Sequence, residues 1–388
     1  LRTSINVCYL VPLGTVRHEV MGPDNRRTSI DELAAMVRLV EAGLEEGAVG
    51  VSTGLEYVPG VFADLTELTA LCKPAARWHA PYVSHLRSYA DGRAPGMTEA
   101  RILGRESGVP VHVSHYRGKS EALHAQLERC AADGVDVTFD SYPHLFGNTI
   151  LAMKALPPRV QEGGVKATLR RLADRAVRTE LEQNWFPGIE TELAEATLGY
   201  VASERYRWME GLSLAEASKR AEMGLGELVC ELLVASELAV GCIIGSPGGG
   251  TEDDMRALAR DHRHMACSDG IYLGGHPHPR GWGAFARFLG RHTRELADWD
   301  WGRAAMHLAG RPAARFGLRG RGQLVQGNVA DLAVIDPETV GDTATYDNPR
   351  SLASGVSHVL VAGQLVLADG VMTGARAGRA VRRGEVGL

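Results

Sequence analysis

From residue 5 to residue 270 the chain alternates short apolar, β-branched runs with longer amphipathic stretches. The runs are INVCYLVP (5–12), AVGVSTG (48–54), PYVSHLR (81–87), VPVHVSHYR (109–117), VDVTFDSYP (135–143), VGCIIGSP (240–247) and HMACSDG (264–270). Their length and near-continuous apolarity mark strands buried on both faces. The stretches between them repeat apolar residues at helical spacing. SIDELAAMVRLVEAGLEEG opens on Ser29 with Glu32 three positions later, the pattern of a capping box, and closes on Gly47. SEALHAQLERCAADG closes in the same way on Gly134. This alternation predicts a parallel α/β sheet. Seven such runs predict a (β/α)8 TIM-like barrel in which at least one strand is unaccounted for, with one of the seven a candidate for a peripheral place.

Two regions break the rhythm. Residues from about 155 to 235 are helix-rich and charged, as in KATLRRLADRAVRTELEQ, and predict an insertion between two barrel strands. From about residue 320 the texture becomes short strands with Gly-rich turns, as in HVLVAGQLVLADG. The expected organisation is therefore a barrel over 1–319, carrying the insertion, and a small β-sandwich portion over 320–388.

Composition narrows the function. Hydrophobic residues make up 45% and charged residues 23% of the 388, an ordinary globular balance that supports a large core. A net charge of −5 without a basic cluster argues against nucleic acid. No apolar run has the length of a membrane span. Six cysteines, at 8, 72, 130, 230, 242 and 267, form no C-x-x-C pair. With no secretory leader in view, they are expected to be reduced thiols in the cytoplasm. Cys8, inside its run, is expected to be a buried structural thiol. The chain opens without Met and already in a strand-like run, so an upstream N-terminal portion is expected.

The chemistry is concentrated at strand ends. YVSHLR and VHVSHYR each end a strand in Ser-His-x-Arg, which places His85 and His115 one strand–helix unit apart. In a barrel the C-terminal ends of successive strands share one face, so two imidazoles there suit one divalent metal. The alternative is a pair of hydrogen-bonded core histidines. Asp269 ends the HMACSDG strand, where it could accept a proton from an activated water, or simply form an Asx turn before Gly270. Arg87 and Arg117 follow the histidines by two residues and share their face. Either could grip a carboxylate, or lie at the surface. Tyr57 and Tyr142 end strands as possible phenol donors or rim aromatics. His276-Pro277-His278 has the spacing of a ligand pair but is flanked by Gly274, Gly275 and Pro279, which favours a loop over the site. His307, on an amphipathic stretch, is expected to be structural. SPGGGTEDD (246–254) lacks the Lys of a phosphate-binding loop and reads as a capped helix start.

These residues, with the segments EEGAVGVSTGLEYVPG, VPVHVSHYRGKS, DVTFDSYP, CSDG, HPHPRGWGAFARFLG and RPAARFGLRGRGQLVQGNVADLAVIDP, resemble the N-acyl-D-amino-acid deacylases (D-aminoacylases) of the amidohydrolase superfamily. The segments run in family order along nearly the whole chain and leave only the insertion weak. The resemblance implies a zinc-dependent barrel that hydrolyses small N-acyl-D-amino acids. It makes His85 and His115 zinc ligands and Asp269 the catalytic aspartate. Arg117 becomes the holder of the substrate carboxylate, while Tyr57 and Tyr142 line the site. Two features depart from the family. Its first-strand His-x-His pair and its Cys ligand are absent before INVCYLVP, and His144 stands where the family commonly has Tyr. No Lys lies on the AVGVSTGLEY strand to act as a bridging carbamate, which argues against the related hydrolases of cyclic amides, such as dihydroorotase and hydantoinase. A truncated, non-catalytic barrel is the remaining alternative.

Overall fold

The computed structural model describes residues 3–87, 93–245 and 248–385. Its central sheet takes five strands in chain order: β1 (Leu10–Pro12), β2 (Gly50–Gly54), β3 (Tyr82–His85), β4 (Val111–Val113) and β5 (Val137–Ser141). The chain then leaves the sheet for three strands, β6 (Gly147–Ile150), β7 (Thr197–Val201) and β8 (Val240–Ile244), and returns as β9 (His264–Ala266) beside β5. All pairings of the central sheet are parallel. The strands are apolar because both faces are covered. Val51, Tyr82, Val111 and Phe139 are buried against Met36, Leu71, Leu103 and Leu127 of the intervening helices. The first of these helices, Ile30–Glu45, begins on the capping box of Ser29 and Glu32.

Six of the seven predicted runs enter this sheet. The seventh does not: VGCII pairs antiparallel with both β6 and β7. A short buried run carries no record of its partner, so apolarity alone cannot tell a barrel strand from the middle strand of an inserted sheet. The insertion is accordingly wider than its helices. It spans β6 to β8 and has a core of its own, including Phe186, Leu198, Val201, Leu228, Leu232 and Cys242.

Near the C-terminus, β10 (Leu332–Ile335), β11 (Val356–Val361), β12 (Gln364–Ala368) and β13 (Val371–Met372) form an antiparallel sheet. The N-terminal residues join this end of the chain. Thr3 bridges Gly378 and Val7 bridges Ala380, and Asn6 Nδ2 donates to Asp331 at 2.9 Å. Cys8 is therefore exposed on a connecting segment ahead of β1, not buried within a strand. Of the Gly-rich 246–254 stretch, residues 246 and 247 lie outside the described residues. The helix after it, Glu252–Ala259, starts on a capping box of Thr251 and Asp254.

Register matters for the site. Gly54 pairs with His85, Ser84 with Val113, Val113 with Phe139, and Ser141 with Ala266. The strand exits are thus nearly level, and the residues just beyond them gather along one edge. Gly54 is required there because a Cβ would stand 2.8 Å from the Tyr57 ring, which folds back over the end of β2.

The fold also buries neutral imidazoles. His264 and His307 face each other at 2.9 Å beneath the sheet, with His264 Nε2 at 2.9 Å from Ser141 Oγ. Burial holds the His307 imidazolium off, to about 4, and that of His144 to about 3, each reinforced by neighbouring arginines. His264 is also held well below its ordinary value, by burial and by neighbouring His307 and Arg311. Unfolding frees these rings to protonate near their ordinary value of about 6.5. Their stabilisation is therefore complete above pH 6.5 and is lost as pH falls toward 4 and 3. For His307 and His144 the loss is on the order of 2 kcal/mol each between pH 6.5 and 5. The Tm is expected to fall by roughly 5 °C between pH 7.5 and 5.0 in scanning calorimetry. An unchanged Tm would contradict the neutral, buried assignment.

Candidate active site

His85 is the last residue of β3, and His115 lies two residues past β4. Their rings meet edge to face with centroids 4.8 Å apart, and His85 Nδ1 lies 3.0 Å from His115 Nε2. His115 adopts a left-handed backbone, φ +38°, which breaks the strand and turns its ring toward β3. That conformation is held by Asp140 of β5, whose Oδ1 accepts from the His115 backbone N–H at 2.6 Å. Asp140 Oδ2 lies 2.9 Å from Nε2 of buried His112. Burial, with His85 and several arginines nearby, pushes the His115 imidazolium well below its ordinary range. Its ring is neutral at physiological pH and keeps a lone pair for a metal.

The spacing of the two imidazoles suits zinc. Two imidazole nitrogens on one tetrahedral zinc, at bonds of 2.0–2.1 Å, stand about 3.3 Å apart. The observed 3.0 Å is close to that separation. The pair supplies two of the three protein ligands that a catalytic zinc takes. Among the described residues no group of three or more His, Cys, Asp or Glu completes such a site.

Asp269 lies beyond β9, also with a left-handed backbone, φ +45°. Non-Gly residues in that region store strain and cluster at functional sites. The side chain is 38% exposed. The surrounding protein nevertheless raises its pKa above the usual carboxylate range through loss of solvation, opposed by Arg280 and reinforced by Asp140. Arg280 Nη2 lies 2.8 Å from Asp269 Oδ2 as an ion pair and donates to Asn148 O at 3.4 Å, and the arginine side chain is 1% exposed.

Arg280 was not among the residues expected from the sequence. It is the first residue of the helix Arg280–Arg287 and its backbone N–H donates to His278 Nδ1 at 3.0 Å. Its guanidinium lies 4.2 Å from the centre of the Tyr142 ring, against which Arg117 also packs at 4.5 Å. Arg280 Nε and Nη1 are buried without a hydrogen-bond partner in the protein. Leaving charged donors so is costly, on the order of 1–3 kcal/mol each, unless an anion takes them. The only sequence hint was its place in HPHPRG, close behind Asp269.

The two expected carboxylate holders are engaged elsewhere to different degrees. Arg87 cannot serve as one without breaking existing bonds. Its Nε and Nη2 bind Glu99, Nη1 donates to Val61 O and Nη2 to Ala63 O, both at 2.6 Å. Nothing in YVSHLR announced Glu99, which lies on the next helix. Arg117 Nη1 donates to the carbonyls of His144, Leu145 and Phe146 at 3.0–3.2 Å, bracing the turn before β6, while its Nε is buried and unpartnered. Tyr57 packs on the His85 ring at 5.0 Å, and its hydroxyl lies 3.2 Å from Thr149 Oγ1 of β6. Tyr142 is buried beneath the two arginines.

The His276-Pro277-His278 segment is a loop, and its second histidine is fully committed. His278 Nε2 lies 3.1 Å from Phe146 O and 3.3 Å from Tyr346 Oη, while Nδ1 accepts from Arg280. The loop is anchored on the insertion through Gly275 N–H to Glu210 and His276 N–H to Gly199 O. Gly274 makes this approach possible, since a Cβ would meet Gly199 O at 2.1 Å.

The chain is similar to several known proteins. Residues 249–367 match the Amidohydrolase family. The chain is 33% identical to a D-aminoacylase of Alcaligenes xylosoxydans xylosoxydans, over 98% of this chain and 71% of that protein. It is also 33% identical to an N-acyl-D-glutamate deacylase of the same organism, over 98% of this chain and 70% of that one. The crystal structure of N-acyl-D-glutamate deacylase from Bordetella bronchiseptica, complexed with zinc and a phosphonate mimic of the tetrahedral intermediate, superposes with a TM-score of 0.80. That match is at 30% identity and covers 98% of this chain and 72% of that one. Strand-end histidines, the aspartate after β9 and this extent of similarity lead to one assignment: the chain belongs to the D-aminoacylase family of N-acyl-D-amino-acid deacylases, within the amidohydrolases.

Proposed function

We propose that the cleft at the strand exits hydrolyses the amide bond of N-acyl-D-amino acids, releasing a carboxylate and a free D-amino acid. The observation that carries this reading is the Asp269–Arg280 pair, a base with raised pKa joined to a buried guanidinium that still has two unpartnered nitrogens. His85 and His115 would hold zinc, which would supply Lewis acidity for the scissile carbonyl and the attacking water.

The chain's own residues do the rest. Asp269 Oδ takes the proton of the attacking water and returns it to the leaving nitrogen, so one carboxylate serves as base and then as acid. Arg280 Nη1, buried without a partner in the protein, donates to the α-carboxylate in a charge-assisted hydrogen bond. Arg117 braces the turn at 144–146 and adds positive field on the other side of Tyr142. Tyr57 closes the site over His85. With the carboxylate fixed at Arg280 and the acyl carbonyl at the imidazole pair, the α-carbon keeps one free direction for its side chain. That constraint is the basis of chiral selection. A cytoplasmic place of action, read from six unpaired cysteines, is part of the same proposal. Among the described residues no helix is long and apolar enough to cross a membrane.

The test is a panel of linear N-acetyl-D-amino acids set against five- and six-membered cyclic amides, assayed with zinc and after chelation. Amine release from the linear compounds, lost on chelation and restored by zinc, is the expected result. Preference for the cyclic amides would move the protein to the hydrolases of that class.

A further inference from the structure

We infer that Glu56 is a positioning residue that fixes the tautomer of His85 and so aims its Nδ1 lone pair at the metal; this rests on the zinc reading above. Glu56 sits two residues past β2, in GLEY, and its Oε2 lies 3.0 Å from His85 Nε2. A carboxylate only accepts hydrogen bonds, so the imidazole nitrogen facing it carries the proton. In a neutral ring the other nitrogen, Nδ1, is then the bare one, and this is the nitrogen 3.0 Å from His115 Nε2. Glu56 thereby sets both the ring's orientation and its donor atom. An outer carboxylate on a ligand histidine does this in metal sites generally and raises the basicity of the bound nitrogen.

The surroundings fit an orienting role. The Glu56 side chain is 26% exposed and that of His85 is 16% exposed, so the contact is partly shielded from solvent. Tyr57, the next residue, packs on the same ring at 5.0 Å. The Leu-Glu-Tyr turn therefore clamps His85 from two directions, by hydrogen bond and by face. Leu55 anchors the turn, being buried in the barrel core with its backbone N–H donating to His85 O at 3.1 Å. Asp140 performs the matching task for His115 from β5, acting on its backbone rather than its ring.

The test uses the full chain and three forms: wild type, Glu56→Ala and Glu56→Gln. In the metal-free protein, 15N NMR of histidine-labelled samples reads the His85 tautomer, assigned with His85→Gln. Wild type is expected to show Nε2–H with bare Nδ1, and Glu56→Ala a mixture of tautomers. Zinc affinity, measured by competition with a chelator, is expected to fall roughly 10- to 100-fold in Glu56→Ala. It should recover most of that loss in Glu56→Gln, whose amide oxygen accepts the same proton. The metal-free Tm values should agree among the three, which a merely structural role would not produce. A wild-type His85 protonated at Nδ1, or a Glu56→Ala form binding zinc as tightly as wild type, overturns the inference. Wild type that shows the Nε2–H tautomer yet neither binds zinc nor releases amine would instead sink the functional reading and leave Glu56's hold on His85 established.

Discussion

Asp269→Asn is expected to lower kcat by on the order of 10³- to 10⁴-fold while leaving zinc bound and KM nearly unchanged. General acid–base residues contribute roughly 10²- to 10⁴-fold. Asp269 acts in both halves of the reaction, which places it at the upper end. The amide keeps the shape and can still accept from Arg280 Nη2, so the site is not rebuilt. In the proposed site zinc is assigned to His85 and His115, not to this side chain. The wild-type pH profile follows from the same residue. Its carboxyl titrates above the usual range because of its protein surroundings. The proton-accepting form is therefore lost as pH falls through that raised value, and the acid limb of kcat/KM lies above the normal aspartate range. Steady-state kinetics with a zinc assay on the same sample checks both points. Turnover within tenfold of wild type would remove Asp269 from the mechanism.

Arg280→Ala is expected to lower kcat/KM by roughly 10²- to 10³-fold, mainly through KM. Truncating one partner of a buried charge pair costs about 2–5 kcal/mol. Here the substrate carboxylate loses its partner and Asp269 loses its ion pair. The second loss has a sign. Arg280 lowers the Asp269 pKa against the effect of burial, so removing it raises that pKa further and moves the acid limb to higher pH. Arg280→Lys keeps the charge but not the planar guanidinium that packs on Tyr142. It should retain most of the pH profile while still raising KM. An Arg280→Ala enzyme with wild-type KM and an unmoved acid limb would refute both roles.

What the sequence made legible was the periodic part. His85, His115 and Asp269 stood out because each ends an apolar run, and strand exits in a parallel sheet converge by register. The capping box at Ser29 was legible for the same local reason. Function at non-periodic positions was hidden. Arg280 opens a helix after an irregular loop, and only the fold brings it back to Asp269. Glu56 lies in a turn, where a lone Glu looks like surface. Arg87 and Arg117 look alike in sequence because each follows a strand-end His. Glu99 claims the first, however, and the carbonyls at 144–146 claim one nitrogen of the second. The run at 240–247 failed for a further reason: a buried strand shows its burial but not its neighbour.

The most direct measurement is the ratio of initial rates on matched N-acetyl-D- and N-acetyl-L-amino acids, by this 388-residue chain with zinc supplied. Anchoring the carboxylate at Arg280 and the acyl carbonyl at the imidazole pair predicts amine release from the D series with the L series at background. Equal rates on both series, or turnover of the L series alone, would contradict the site as drawn.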